Sequence, residues 1–246
     1  MVKKEYSDPD NIATYMKVDL WPSEERIISS YFSNGPVLDL GCGAGRAAIA
    51  LARKGFSVTG VDIVPGMMEI AKKQSLLYKV DVEYKVMDAR ALSFPDGSFQ
   101  NVLFSFNGFE HISGKENRSK VLDEVYRVLK PGGCFVLTAR SGFAFGKRWI
   151  AWMWMCLRHA FLKPLGLSNP NLKFGDMIFG GSYHHYLSPF RLRKMLKETG
   201  FLCEFFNSKR NIENNKSPSF LTNFSSDTSL FYVARKPLSP ISHQTS

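Results

Sequence analysis

Three glycines, Gly41, Gly43 and Gly45, alternate through "VLDLGCGAGR", with Asp39 just ahead of them. Glycine tolerates positive φ and lets a ligand approach the backbone closely, and a helix opening after such a loop presents unpaired N–H groups. Two more acids close strand-like runs downstream, Asp62 in "FSVTGVD" and Asp88 in "VEYKVMD". A carboxylate at the place of Asp62 accepts both hydroxyls of an unphosphorylated ribose, so an adenosine-containing ligand is expected. Histidines supply the candidates for proton transfer: His111 in "NGFEHI", and His184 with His185 in "GGSYHHYLSP". Imidazole is the natural base near neutral pH. Glu110 is a further acid beside His111, and Tyr183 and Tyr186 flank the histidine pair as pocket-lining candidates.

These residues need elements to position them. From Val37 onward, short β-branched or apolar runs alternate with helical patterns, the sign of a parallel sheet covered on both faces. The strands read as "PVLDLG", "FSVTGVD", "VEYKVMD", "NVLFSF" and "GGCFVLTAR", the last after a turn "KPGG". Between them lie helices in "GRAAIALARKG", stopping at Gly55, in "PGMMEIAKKQSLLY", opened by Pro65, and in "NRSKVLDEVYRVLK". Met67 and Met68 read as core. The rhythm breaks from Ser141 to Tyr186, then resumes with a helix "SPFRLRKMLKETG", capped by Ser188 with Pro189 in its first turn, and a strand "FLCEFF". A polar connection from Asn207 to Ser229 leads to a last strand, "LFYVARK", and residues 237–246 read as a disordered tail. A helix pair is expected before the first strand, with "SEERIISSYF" its clearest part. The expectation is α/β: a doubly wound, mostly parallel seven-stranded sheet in one domain over residues 1–236, with 141–186 as an apolar helical lid.

Which nucleotide the loop holds is the next question. The dinucleotide fingerprint G-x-G-x-x-G has Ala47 near its third glycine position here, which leaves NAD open. Asp39 weighs against it, because a carboxylate facing a pyrophosphate would set negative charge against negative charge. It better suits a ligand carrying an ammonium group.

Residues 37 to 140 resemble the class I S-adenosylmethionine-dependent methyltransferases. The likeness is carried by "VLDLGCGAGR", "GVDIVPGMMEIAKK", "VMDARALSFPDGSFQNVLFSFNGFEHI" and "RSKVLDEVYRVLKPGGCFVLTAR", in that order. It implies that Gly41, Gly43 and Gly45 surround the methionyl part of S-adenosylmethionine, that Asp62 binds the ribose, that Asp88 takes the adenine amino group, and that Ala89 offers its backbone beside the ring. Phe106 and Asn107 would border the transferred methyl. The same resemblance puts "LFYVARK" antiparallel to the fifth strand. Each acid also has a plainer reading, Asp39 and Asp62 as helix caps and Asp88 as a turn former.

The chain has 246 residues, 44% hydrophobic and 22% charged, enough for one large core. Its net charge of +10 suits nucleic acid, an anionic membrane surface or plain solubility, but the basic residues are scattered and no RNA-binding signature is visible. No secretory leader is apparent, so a cytoplasmic location is expected. Cys42, Cys134, Cys156 and Cys203 lie far apart, so no metal site is expected, and they read as reduced and mostly buried.

One stretch departs from this soluble pattern: "KRWIAWMWMCLRHAFLK", Lys147 to Lys163. As a helix it sets Trp149, Trp152, Met153 and Cys156 on one face and Ile150, Trp154, Leu157 and Phe161 on another. Three covers are open for it: an acceptor under a lid, the protein core, or lipid against its basic ends. An insertion after the fifth strand emerges at the carboxyl edge of the sheet, which favours the lid. The reading is therefore methyl transfer to a small or lipid-like acceptor at an apolar pocket. RNA or protein methylation, a nucleotide-binding module without catalysis, and an NAD oxidoreductase are the alternatives.

Overall fold

The computed structural model describes residues 18–140, 149–167, 169, 171–179, 182–219 and 229–238. Helix α1 (Pro22–Tyr31) precedes β1 (Val37–Leu40), and α2 (Arg46–Arg53), β2 (Val58–Asp62), α3 (Pro65–Leu77), β3 (Glu83–Val86) and β4 (Phe99–Phe104) follow. A 3₁₀ turn (Gly108–His111) leads to α4 (Lys115–Val128) and β5 (Leu129–Arg140). The chain continues through α5 (Trp149–Leu157), a π turn (Arg158–Leu162), β6 (Asp176–Phe179), β7 (Ser182–His185), α6 (Pro189–Thr199), β8 (Leu202–Ser208), α7 (Lys209–Glu213) and β9 (Ser229–Arg235).

Seven strands form one sheet in the order β3-β2-β1-β4-β5-β9-β8. The first five run parallel, and β9 is antiparallel to both β5 and β8. The order reverses between β1 and β4, so their carboxyl ends diverge and leave a crevice where open α/β sheets bind ligands. One apolar layer packs α1, α2, α3 and α7 against one face through Ile27, Ile28, Ala48, Leu51, Met67, Met68 and Ile212. The other packs α4 and α6 through Val121, Leu122, Val125, Leu192, Met195 and Leu196. The helix ends follow the expected signals. Gly55 lies at φ 90°, Pro65 opens α3, and Ser188 Oγ accepts the Arg191 N–H at 3.1 Å to cap α6, which stops at Gly200, φ 104°.

Several expectations need correction. "KPGG" is an irregular start of β5 rather than a separate turn, with Gly132 at φ 75° absorbing the bend. The connection after Asn207 is not wholly irregular: Ser208 caps α7, and Asn207 and Asn211 are buried and bonded to each other at 3.0 Å. The insertion is only partly helical, because its second half is the hairpin β6–β7. Of the cysteines, Cys42 and Cys134 are buried, whereas Cys156 and Cys203 are half-buried. A second helix before β1 would fall in residues 1–17, and the proposed tail from residue 239 on, both outside the described residues. Among the described residues no helix is long and apolar enough to cross a membrane.

Candidate active site

A cavity of about 420 Å³ opens at the carboxyl ends of β1 to β4. Asp39, Gly41, Gly43, Asp62, Asp88, Ala89, Phe106 and His111 all line it, as do Arg46, Arg90, Ser105 and Asn117. Strand β1 ends at Leu40, so the glycine loop crosses the crevice floor before α2 begins. Gly43 sits at φ 54° with nothing within 4 Å of where a Cβ would stand, leaving its backbone open to the cavity.

Asp62, at the end of β2, is fixed by the loop it faces. Its Oδ2 accepts the Gly43 N–H at 3.0 Å and its Oδ1 the Val64 N–H at 2.9 Å. Burial pushes the carboxyl up, and these backbone donors oppose that shift. Each oxygen keeps a further lone pair for an outside donor. Asp39 is deeper, only 2% exposed, and its Oδ2 finds no hydrogen-bond partner among the described residues. Burial pushes this carboxyl up to about 7, against the pull of the nearby Arg46 guanidinium. A buried carboxylate oxygen left unpaired in a cavity wall is costly unless a cationic group meets it. The residues present therefore fit a ligand with an ammonium group and a ribose.

Asp88, past β3, receives Arg90 in two parallel bonds, Nε to Oδ1 at 3.0 Å and Nη2 to Oδ2 at 2.5 Å. This pairing holds its carboxyl below the usual range. Phe106 and Asn107 follow β4 in consecutive left-handed conformations, φ 55° and 61°. Such backbone is uncommon for bulky residues, and it swings the Phe106 ring into the cavity wall.

Four of the expected residues stand outside the wall. Gly45 is a packing position: at φ 86°, a Cβ would come within 2.5 Å of Tyr84 Oη and 3.1 Å of Ala71 Cβ. Asn107 is buried behind Phe106 and donates its N–H to Thr138 Oγ1 at 3.0 Å. His184 and His185 are adjacent on β7, so strand alternation sends them to opposite faces. His184 lies against His111, ring centres 4.7 Å apart, and 3.9 Å from Glu110 Oε2. His185 turns away and bonds Asp176 at 2.5 Å through Nδ1, with the Tyr183 hydroxyl donating to the same oxygen at 2.7 Å. Burial opposes ionisation of Asp176, but these bonds outweigh it and hold the carboxyl down to about 2. That set of contacts anchors the hairpin.

Hairpin and cavity meet at His111, whose Nδ1 lies 3.0 Å from the Tyr183 carbonyl oxygen. A carbonyl only accepts, so Nδ1 carries the proton and Nε2 the lone pair. Burial, with His184 beside it, lowers the His111 pKa and favours the neutral ring. Glu110 is buried and committed to Arg140, accepting its N–H at 2.5 Å and its guanidinium at 3.2 Å.

The sequence reading missed Arg46 and its partners. Both guanidinium nitrogens reach Glu24 of α1 at 2.7 Å, and the group stacks on Trp21 and Phe106, 5.1 and 5.7 Å from their centres. A cation in the first turn of a helix opposes the helix dipole, so an Arg directly after Gly45 was the signal that an acid from elsewhere must meet it.

Comparison with known proteins agrees with this geometry. Residues 37–133 match the family described as a methyltransferase domain. A demethylmenaquinone methyltransferase of Thermus thermophilus is 40% identical over 103 residues, 41% of this chain and 45% of that protein. A ubiquinone biosynthesis O-methyltransferase of Pseudomonas entomophila is 36% identical over 97 residues, 39% of this chain and 40% of that protein. The chain spans about half the length of the curated relatives it matches. Among solved structures, a SAM-dependent methyltransferase of Methanosarcina mazei superposes with a TM-score of 0.67 at 26% identity, over 90% of this chain and all of that one. The sheet order, the acid-flanked glycine loop and these matches agree: residues 37–133 form a methyltransferase domain, and the whole chain has the fold of the S-adenosylmethionine-dependent methyltransferases.

Proposed function

We propose that the chain binds S-adenosylmethionine in the β1–β4 cavity and methylates a small, lipid-like acceptor that reaches the cavity beside His111. The unpaired, buried Oδ2 of Asp39 is the observation that carries the cofactor part, since an ammonium group satisfies it. In this reading Asp62 takes the ribose hydroxyls, Gly41 and Gly43 lend open backbone to the methionyl part, and Asp88 and Ala89 border the adenine. Asp88 is shared with Arg90, so an adenine amino group would join an existing pair rather than meet a free carboxylate. The cofactor, when bound, supplies an electrophilic methyl group on a sulfonium.

The chain's own residues then orient the acceptor, exclude water and manage one proton. Phe106, fixed in its left-handed turn, gives the wall an apolar surface next to Ser105 and Gly108. A hydroxyl acceptor needs its proton removed as it attacks, and Nε2 of neutral His111 is suited to receive it. His184 supports that role as a positioning residue, because its ring packs on His111 and stands near Glu110. The hairpin and α5 form the lid side of this arrangement. Support for the acceptor class comes from relatives whose names specify quinone biosynthesis, both C- and O-methylating. Fold alone would not give the reaction: the [4+2]-cyclase SpnF also superposes, with a TM-score of 0.62 at 17% identity.

Calorimetry with S-adenosylhomocysteine, followed by turnover on demethylated quinols, tests the proposal. Binding with methylated quinol as product is expected. Tighter binding of NADH than of S-adenosylhomocysteine would overturn it.

A further inference from the structure

We propose that the exposed face of α5 and its π turn docks on an anionic lipid surface. This rests on the lipid-like acceptor proposed above and says from where that acceptor enters. Ile150, Met153, Trp154, Leu157 and Phe161 recur at helical spacing, and each is between 42% and 62% exposed. Five large apolar side chains on one open face exceed the scattered exposure normal for a protein surface. The opposite side is already used. Met155 is buried with its sulfur 3.1 Å from the Gly175 N–H, and Arg158 is buried with its guanidinium on the carbonyls of Asp176 and Lys173, at 2.7 and 3.2 Å. The apolar face is therefore held outward by the fold.

Charge selects the occupant. Between Ser141 and Tyr186 the sequence has Lys147, Arg148, Lys163 and Lys173, besides the inward-turned Arg158, against one acid, Asp176. That acid is buried and bonded to His185 and Tyr183, so it offers no negative charge outward. A second copy of the chain would bring like charge against like charge. Nucleic acid would match the charge but leave the aliphatic side chains of Ile150, Met153 and Leu157 uncovered. An anionic bilayer surface answers both, with apolar side chains entering the headgroup boundary and basic groups meeting lipid phosphates. The docked face is also tied to the site. Arg158 bonds the backbone of Asp176, that residue holds His185 and Tyr183, and the Tyr183 carbonyl meets His111 in the cavity wall. An acceptor leaving the bilayer at α5 is one hairpin away from the base.

The test is sedimentation of the full chain with phosphatidylcholine vesicles, with and without phosphatidylglycerol, over a range of salt. Binding to the anionic vesicles alone, released by salt, is expected. Phe161→Asp should weaken that binding by about tenfold or more, and Lys173→Glu by about fivefold or more, while melting temperature and S-adenosylhomocysteine affinity stay unchanged. Absence of anionic-vesicle binding, or a Phe161→Asp protein that binds as tightly as the parent, overturns the docking face. So does light scattering that shows a dimer abolished by Phe161→Asp without vesicle binding, or tight single-stranded RNA binding without vesicle binding. Any of these with S-adenosylhomocysteine still bound removes the docking face alone, whereas loss of that binding in the parent protein removes the functional reading beneath it.

Discussion

Asp39→Asn separates what the site costs from what it does. In the unfolded chain this carboxyl releases its proton near 3.8, in the folded chain at about 7. Between those values the folded state holds more protons, so stability falls as pH rises through this window, and above pH 7 the whole penalty is present. A difference of about 3 in pKa corresponds to a ceiling of about 4 kcal/mol. Relaxation and water entry reduce such a penalty in real proteins, so about 2 kcal/mol is expected, or a rise of about 4–8 °C in melting temperature for a domain of this size. Asparagine keeps an oxygen for the Ala48 N–H that Asp39 accepts and carries no charge to bury. The ligand-free Asp39→Asn protein should therefore melt higher than its parent at pH 8 and equally at pH 4. The same change deprives an ammonium group of its counter-charge, so S-adenosylhomocysteine affinity should fall by about 10- to 100-fold. Differential scanning calorimetry across pH, paired with titration calorimetry, reads both. A stability gain that does not depend on pH, or affinity left intact, would refute the reasoning.

Asp62→Ala, which strips the loop of its anchor and the ribose of its acceptor, should lower S-adenosylhomocysteine affinity by about 2 kcal/mol while the circular dichroism spectrum persists. His111→Gln should reduce turnover on a hydroxyl acceptor by about 10²-fold with cofactor affinity unchanged. In the parent, burial moves the His111 pKa below 6.5, so kcat/KM should rise with pH along a limb centred below 6.5. A limb centred above 6.5 would assign the proton to another group. Gly43→Ala and Gly45→Ala form a contrasting pair. The first meets open space and should cost only about 1 kcal/mol of stability while weakening cofactor binding, because the left-handed backbone alone resists it. The second also strikes Tyr84 Oη and Ala71, so chemical denaturation should show about 3 kcal/mol lost.

What was legible in the sequence was what local rules dictate. The glycine loop sits between a strand and a helix, Asp62 closes β2 and Asp88 follows two residues after β3, and Ser188 and Gly200 bound α6 as their types require. Less legible were pairings between distant segments. Glu24 and Arg46 belong to different helices, and neither α1 nor α2 has a periodicity that announces the other. The β6–β7 hairpin escaped because "DMIF" and "SYHH" are short, lack strict alternation, and owe their stability to Asp176 bonding His185 and Tyr183 rather than to strand propensity. Gly45 matched the loop pattern yet serves packing, because three glycines in register look alike until Tyr84 and Ala71 are placed beside one of them.

Strand order also bears on how the chain is made. β9 lies between β5 and β8, so β8, although synthesised earlier, has no hydrogen-bonding neighbour in the sheet until β9 emerges. A nascent chain arrested after Ser208 would hold β1 to β5 with an open edge at β5 and a strand waiting beside it. Every residue of β9 from Ser229 to Ala234 is buried in the finished sheet, and the position it fills is apolar on both faces. The vacant slot is thus a template for another chain's strand during translation, a hazard that ends only when β9 fills it.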